Sequence, residues 1–424
     1  MSPHVRTGRV AAIVLVVLAA LGSVSACAQS SPPAPTSATS GVPISGDFSG
    51  SGPGTLRSAE SLPTVDRRLT RLTSTAARIT YESTSGVDGS TVLVSGTVFS
   101  PVGPAPAGGW PIVAYGHGTT GIQHECAPSL SPSLLGAADA VGILVKDGYV
   151  VVMPDYQGLG LDGTYHPYLD AATVGHNMVD GVRAARKLIP DTSQRWVAVG
   201  SSQGGQAAWA ANEMVARDDA GLDLLGTASL APVTDISGFA DKAAGGTLTA
   251  QQLGIFPWIL WAQQKMHPEL DLDDYRRGLA QRRWDVLTAC QGDLAEQRTA
   301  VVKQLTPDDL RPATPTATDA LRADLRRMAL PAGRAAAPML VVHGAKDQLV
   351  DSQWTVDAVN DACRRGDTVE NYVLPDAGHD DIDGSIAVAW IQARFQNAPP
   401  LNTCGRNVPP PTAQVPAASG PDQQ

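Results

Sequence analysis

Three short stretches of this chain carry residue types that together can do nucleophilic chemistry. In VAVGSSQGGQAA, residues 197–208, Gly200, Ser202 and Gly204 have the G-x-S-x-G spacing. That spacing answers a mechanical need: a strand turns sharply into a helix, the serine sits at the strained apex, and the residues two before and two after must lack side chains. Gly205, Ala207 and Ala208 keep the following turn small. The hydroxyl becomes a nucleophile when a histidine takes its proton and an acid orients that histidine, in the chain order Ser, Asp or Glu, His. LVVHGAKDQLVD places Asp347 just past an apolar run, and LPDAGHDDIDG places His379 in a glycine-containing loop after the last such run. Ser202, Asp347 and His379 are thus the expected nucleophile, acid and base of an acyl-transfer site. Asp235, after LAPVTD, and Asp351 are the competing acids, while His343 and His117, within or beside strands, read as structural or oxyanion-related.

An oxyanion needs backbone N–H donors aimed where charge develops. Gln203, next after the serine, supplies one from a helix N-terminus, and VAYGHGTTG supplies the second from Thr119, with Gly118 or His117 as alternative registers. The run Asp380, Asp381 and Asp383 lacks the loop spacing and distal Glu of a calcium site, so it reads as capping for the next helix. No metal or cofactor is called for.

These residues need a scaffold that brings loop ends together. TVLVSGTVF, WPIVAYG, YVVVMPD, RWVAVG, LLGTASLAP, APMLVVHG and TVENYVLP read as strands, and SLLGAADAVGILVKDG, AATVGHNMVDGVRAARKLI and GSIAVAWIQARF as helices. Continuous apolar strands alternating with helices specify an α/β fold, a mostly parallel central sheet with helices on both faces. Its ligands sit at the carboxyl ends of the strands. Residues 56–234 and 338–405 form the expected core. Between them, 235–337 has no evident strand and contains the helical patterns GIFPWILWAQQKM, DDYRRGLAQRRWDVL and DALRADLRRMAL, as expected of a helical cap or lid. Phe256, Trp258, Ile259, Leu260 and Trp261 either line an acyl pocket there or fill the cap's own core.

The amino terminus adds an address. Arg6 and Arg9 precede the apolar stretch AAIVLVVLAALGSV, the order of an export signal, and the stretch is short for a span of about 20 residues. Val24, Ser25 and Ala26 before Cys27 resemble the lipobox of bacterial lipoproteins, giving a signal peptide over 1–26 and lipidation of Cys27. The chain is then expected to sit on the outer face of the cell membrane through that lipid, or to be released. Residues 27–55, rich in Ser, Pro and Thr, read as a disordered tether, and 406–424 as a disordered tail. Setting Cys27 aside leaves Cys126, Cys290, Cys363 and Cys404, an even set in an oxidising compartment, with three possible connectivities. A net charge of -10 and the lack of basic clusters exclude nucleic acid as a partner.

Taken in order, AYGHGTTG, HECAPS, MPDYQGLG, HPYL, GSSQGGQAA, LVVHGAKDQLV and DAGHDD resemble the secretory lipase family of α/β-hydrolases, exported lipases and esterases, over roughly residues 60–405. The resemblance implies ester hydrolysis by Ser202, Asp347 and His379, the pairings Cys126 to Cys290 and Cys363 to Cys404, and no cofactor. Asp155 and Tyr156 also match and are given no catalytic role. An ester or lipid is the expected substrate, hydrolysed through an acyl-enzyme. A peptidase or acyltransferase would use the same triad. A catalytically silent surface protein is opposed by the intact triad and glycine loops.

Overall fold

The computed structural model describes residues 41–218 and 221–406. The signal segment, Cys27 and the tail beyond Arg406 lie outside the described residues. In chain order the elements are β1 (Leu56–Ser61), α1 (Arg67–Leu72), β2 (Thr73–Thr84), β3 (Thr91–Pro101), β4 (Trp110–Gly116), α2 (Ala138–Lys146), β5 (Val150–Pro154), α3 (Ala171–Leu188), β6 (Thr192–Ser201), α4 (Gln203–Asp218) and β7 (Asp223–Leu230). There follow α5 (Gly238–Gly245), α6 (Ala250–Met266), α7 (Gly278–Arg282), α8 (Trp284–Thr288), α9 (Gly292–Val302), α10 (Pro315–Arg327), β8 (Met339–Gly344), α11 (Ser352–Arg364), β9 (Val369–Leu374) and α12 (Ser385–Phe395).

The nine strands form one sheet in the order β1-β2-β3-β5-β4-β6-β7-β8-β9. The pairs from β1 to β5 are antiparallel and those from β5 to β9 parallel. The parallel strands alternate their side chains between two apolar layers, as the period of two requires. Ile112, Ala114, Val150, Val152, Trp196 and Ala198 pack with Val174, Met178 and Val182 of α3 and Ala207, Ala211 and Met214 of α4. Val113, Val151, Val197, Val199, Leu340 and Val342 face the other way, onto Val141 and Leu144 of α2 and Trp390 and Ile391 of α12. Both faces are therefore covered, and this is the α/β-hydrolase arrangement expected of the sequence.

Between β7 and β8 the described chain is helical. Thr249 and Gln252 start α6 with a reciprocal capping box, at 3.1 and 3.0 Å, which satisfies two N–H groups at the helix start. Thr314 caps α10 ahead of Pro315. Phe256, Ile259 and Leu260 of α6 are buried with Phe239, Leu321 and Leu325, so these three fill the insertion's own core, and the Phe239 and Phe256 rings stack at 5.8 Å.

Three details differ from the sequence reading. β1 and β2 were not expected. β2, TSTAARITYEST, buries only the alternate residues Ala77, Ile79, Tyr81 and Ser83, so it lacks the continuous apolar run by which the parallel strands announce themselves. The helix expected from residue 133 begins at Ala138, because Leu134 and Leu135 adopt left-handed backbone angles of +52° and +51°. The tether expected over 27–55 is held to the body from Gly41 onward. There the Ile44 N–H donates to the Ala59 carbonyl and the Asp47 N–H to the Lys187 carbonyl, both at 2.9 Å, so backbone hydrogen bonds order a stretch poor in large apolar side chains. None of the helices among the described residues is long and apolar enough to cross a membrane.

Candidate active site

The serine stretch folds as its glycines require. β6 ends at Ser201, Ser202 takes φ +57°, and α4 starts at Gln203. For a residue with a Cβ that conformation costs on the order of 1–3 kcal/mol and persists only where the surroundings hold it. Here the Ser202 N–H donates to the Leu230 carbonyl at 2.8 Å, and the Ser202 carbonyl accepts from Gln206 N–H at 3.0 Å. A Cβ on Gly204 would collide with the Gly116 backbone, one on Gly200 with the Gly204 backbone, and one on Gly205 would stand 2.9 Å from the Leu230 carbonyl oxygen. The glycines let β4, β6 and the first turn of α4 touch, and the strain at Ser202 is paid for by that packing.

Asp347 lies in the loop after β8 and His379 in the loop after β9, and the two loops are joined by Lys346 N–H donating to the Ala377 carbonyl at 2.9 Å. His379 Nδ1–H donates to Asp347 Oδ2 at 2.7 Å, which leaves Nε2 to accept from the Ser202 hydroxyl at 2.8 Å. Asp347 Oδ1 accepts the N–H groups of Leu349, at 2.8 Å, and Val350, at 3.0 Å, so both carboxylate oxygens are occupied and the side chain cannot swing. Asp347 and His379 are buried, and Ser202 is half-buried. Such a row can draw a proton from the hydroxyl to the imidazole while the carboxylate keeps the tautomer.

The competing residues are engaged elsewhere. Asp235 accepts from Ser237 N–H at 2.9 Å and pairs with Arg326 at 3.5 Å. Asp351 pairs with Lys242 at 2.9 Å. His343 lies inside β8 against Ser352 Oγ at 3.3 Å, and burial pushes its imidazole down to about 4. Of the acidic run, Asp383 caps the start of α12 by accepting Ser385 N–H at 2.9 Å. Asp381 instead accepts Gly378 N–H at 2.8 Å and so braces the histidine loop.

Residues 117–121 leave β4 beside the elbow. Burial lowers the pKa of His117, which lies against Tyr156 at 4.3 Å between ring centroids, and its Nδ1 and Nε2 sit 2.7 and 3.2 Å from the Gly118 and Asp155 carbonyls. The Tyr156 hydroxyl donates to the His117 carbonyl at 3.1 Å, fixing the loop from below. The Thr119 hydroxyl meets the Tyr168 hydroxyl at 2.7 Å. Tyr168 in turn meets Trp258 of α6 edge-on at 6.4 Å, so the helical insertion reaches Thr119 by way of Tyr168. Asp155 is fully buried and accepts from Ser95, at 2.6 Å, and from Ser129 N–H, at 2.9 Å, a bracing role.

The cysteines pair as Cys126–Cys290 and Cys363–Cys404. The first bridge joins the insertion to the chain just past the 117–121 loop. Trp261 is half-buried and, with Ile122, Leu161 and Tyr165, borders a cavity of about 380 Å³ beside that loop. Sequence reasoning missed His166 and the Gln203 side chain, which meet at 2.9 Å beneath the elbow. The only signal was HPYL, and a hydrogen bond across 37 residues leaves no local pattern.

The model of the secretory lipase family matches residues 138–403. Among solved structures, Candida antarctica lipase A in its closed state shares 18% identity with a TM-score of 0.69, over 84% of this chain and 86% of that one. A ligand-bound form of the rice cell wall degrading esterase LipA from Xanthomonas oryzae shares 21% identity with a TM-score of 0.62, over 82% of this chain and 98% of that one. No curated protein matches the chain. With the family match spanning more than half of its length on an α/β-hydrolase fold, the chain belongs to the secretory lipase family and is a carboxylic ester hydrolase.

Proposed function

We propose that Ser202, His379 and Asp347 hydrolyse an acyl ester in two steps. The Ser202 oxygen bonds to the ester carbonyl carbon as His379 Nε2 takes the hydroxyl proton. Backbone N–H groups of Gln203 and Thr119 hold the oxyanion. The carbon–oxygen bond to the alcohol then breaks, and the imidazolium returns its proton to the departing alkoxide. A water molecule gives a proton to His379 as its oxygen adds to the acyl carbon, the imidazolium returns that proton to Ser202 Oγ as the bond between Ser202 and the acyl carbon breaks, and the carboxylic acid leaves. Asp347 keeps the imidazole proton on Nδ1 throughout. The observation that carries this reading is the unbroken row from Asp347 to His379 to Ser202 at 2.7 and 2.8 Å.

A lipid-like acyl chain is the substrate class we favour. Ile122, Tyr168, Val233 and Val350, which flank the site loops, share one apolar cluster with the helical insertion, and this insertion is read as a cap over the strand ends. Export is supported by the two disulfides and by family membership, and lipid attachment at Cys27 is the proposed anchor. Fluorophosphonate labelling and turnover of p-nitrophenyl esters from acetate to palmitate test the reading. Ser202→Ala is expected to lose both labelling and turnover while staying folded, and normal turnover in that variant rules out Ser202 as the nucleophile.

A further inference from the structure

A row of buried hydrogen bonds runs through the core and ends beside the nucleophile. Its members, Ser83, Asn177, Asp180, Gln157, His166 and Gln203, are all 2% exposed or less. Ser83 Oγ–H donates to Asp180 Oδ2 at 2.8 Å, and Asn177 Nδ2–H donates to Ser83 Oγ at 2.9 Å. The Gln157 N–H donates to Asn177 Oδ1 at 2.8 Å. His166 Nδ1 lies 2.8 Å from the Gln157 carbonyl oxygen, which can only accept, so the imidazole proton is on Nδ1. Nε2 is then an acceptor, and Gln203 Nε2–H donates to it at 2.9 Å. Every donor points from Gln203 toward Asp180, and a cationic His166 would break the row by turning Nε2 into a donor. Burial prevents that by pushing the imidazole down to about 3.

We propose that His166 is a positioning residue for ester hydrolysis: by clamping the Gln203 side chain it aims the Gln203 backbone N–H at the oxyanion. The inference rests on the reading of Ser202 as nucleophile and Gln203 as oxyanion donor. The peptide group between those two residues follows a backbone held at φ +57°, so relaxation of the elbow would rotate this very N–H. Effective donors stand about 2.7–3.1 Å from the position the oxyanion will occupy, so a rotation of this peptide that lengthens that distance weakens the contact. Anchoring the Gln203 side chain to a rigid core row adds a second fixed point to the peptide, beyond the glycine contacts at the turn. A buried glutamine that merely filled space would be replaceable by an apolar residue of the same length. The row of partners behind it gives the amide a reason to be there.

The test uses His166→Phe, which keeps a ring beside Tyr156 and Tyr168 but removes both hydrogen bonds, together with Gln203→Met and the double variant. Fluorophosphonate titration counts working serines, so kcat is expressed per active site and any loss of folded protein is scored separately. Each single variant is expected to lose about ten- to hundredfold in kcat per site with KM within about twofold, less than the roughly 10²–10³ for complete loss of a donor. The Ki of a trifluoromethyl ketone, whose hemiketal with Ser202 carries an oxyanion at the same place, is expected to rise by the factor lost in kcat/KM. The double variant is expected to be no worse than the worse single one, because both remove the same contact. His166→Gln, which restores an acceptor near Nε2, is expected to regain most of the rate. Unchanged kcat per site, or losses that multiply in the double variant, overturns the inference. Should His166→Phe fail to fold, Gln203→Met alone decides by the same measurement. Persistent hydrolysis in Ser202→Ala would overturn the underlying reading, whereas an inactive Ser202→Ala beside a fully active Gln203→Met overturns this inference alone.

Discussion

Replacing Cys126 and Cys290 together by serine separates what the first bridge does for stability from what it does for the site. The bridge closes a loop of 164 residues, against 41 for Cys363–Cys404. In the chain-entropy model these closures stabilise by roughly 5 and roughly 4 kcal/mol at 25 °C. For a chain of this size, unfolding entropy near the midpoint is about 0.8 kcal/mol/K, so each loss corresponds to a fall in Tm of about 5–7 °C. The two double variants should therefore melt at similar temperatures in scans at one fixed rate. Their activities should differ. A Cβ on Gly121 would stand 2.6 Å from Cys290 Cβ and 2.8 Å from Cys126 Cβ, so the bridge presses on the end of the 117–121 loop. It also holds the insertion that reaches Tyr168 through Trp258. Without it, palmitate ester hydrolysis should fall more than acetate hydrolysis, while Cys363→Ser with Cys404→Ser leaves that ratio unchanged. Equal loss across chain lengths refutes the claim that the insertion selects the acyl group, and an unchanged Tm refutes the loop-closure argument.

Asp347→Asn should lower kcat by roughly 10⁴ through loss of tautomer control, with Asp235→Asn and Asp351→Asn within a few-fold of the parent; steady-state kinetics on one ester decides among the three. Burial pushes Glu213 up to about 7 from an ordinary 4.5, although it accepts N–H groups from Trp209 and Ala332, both at 3.0 Å, and from Gly333. Because the folded value is raised, its favourable contribution is complete below about 4.5 and lost as pH rises through about 7, on the order of 3 kcal/mol at 1.36 kcal/mol per pH unit. Glu213→Gln should flatten the dependence of Tm on pH across that window, and parallel curves for the two proteins would contradict the burial argument. Cys27→Ala should move the protein out of the membrane fraction or block processing of the signal, as immunoblots of cell fractions will show; an unchanged membrane fraction with no acyl mass on the mature amino terminus excludes lipidation.

What could be read in the sequence follows from how each feature is encoded. The elbow was legible because its constraint is local: backbones at Gly116, Gly200 and Gly204 touch, and only glycine permits that at fixed spacing. Asp347 and His379 were legible because parallel strands are continuous apolar runs, and the residue just past each run must lie at one edge of the sheet. The same rule also admits Asp235, past the end of β7, and the structure puts Asp347 against His379 and Asp235 against Arg326. β1 and β2 escaped because antiparallel strands at the sheet margin bury one face only, and their alternate Ser, Thr and Arg residues resemble loop composition.

His166 and the side-chain role of Gln203 escaped for a deeper reason. Each residue is polar and fully buried, a state that composition and periodicity predict for neither, and the hydrogen bond between them joins two different elements. Desolvating an amide or imidazole without a partner costs on the order of 1–3 kcal/mol, so such residues persist only where the fold delivers the partner. A one-dimensional pattern records the glycines, which a backbone demands at fixed spacing, and leaves unrecorded the polar pairs that folding itself brings together. The support beneath the strand–helix turn at Ser202 belongs to the second kind, and the row from Asp180 to Gln203 becomes visible only once β2, α3, the 155–170 loop and the start of α4 are placed side by side.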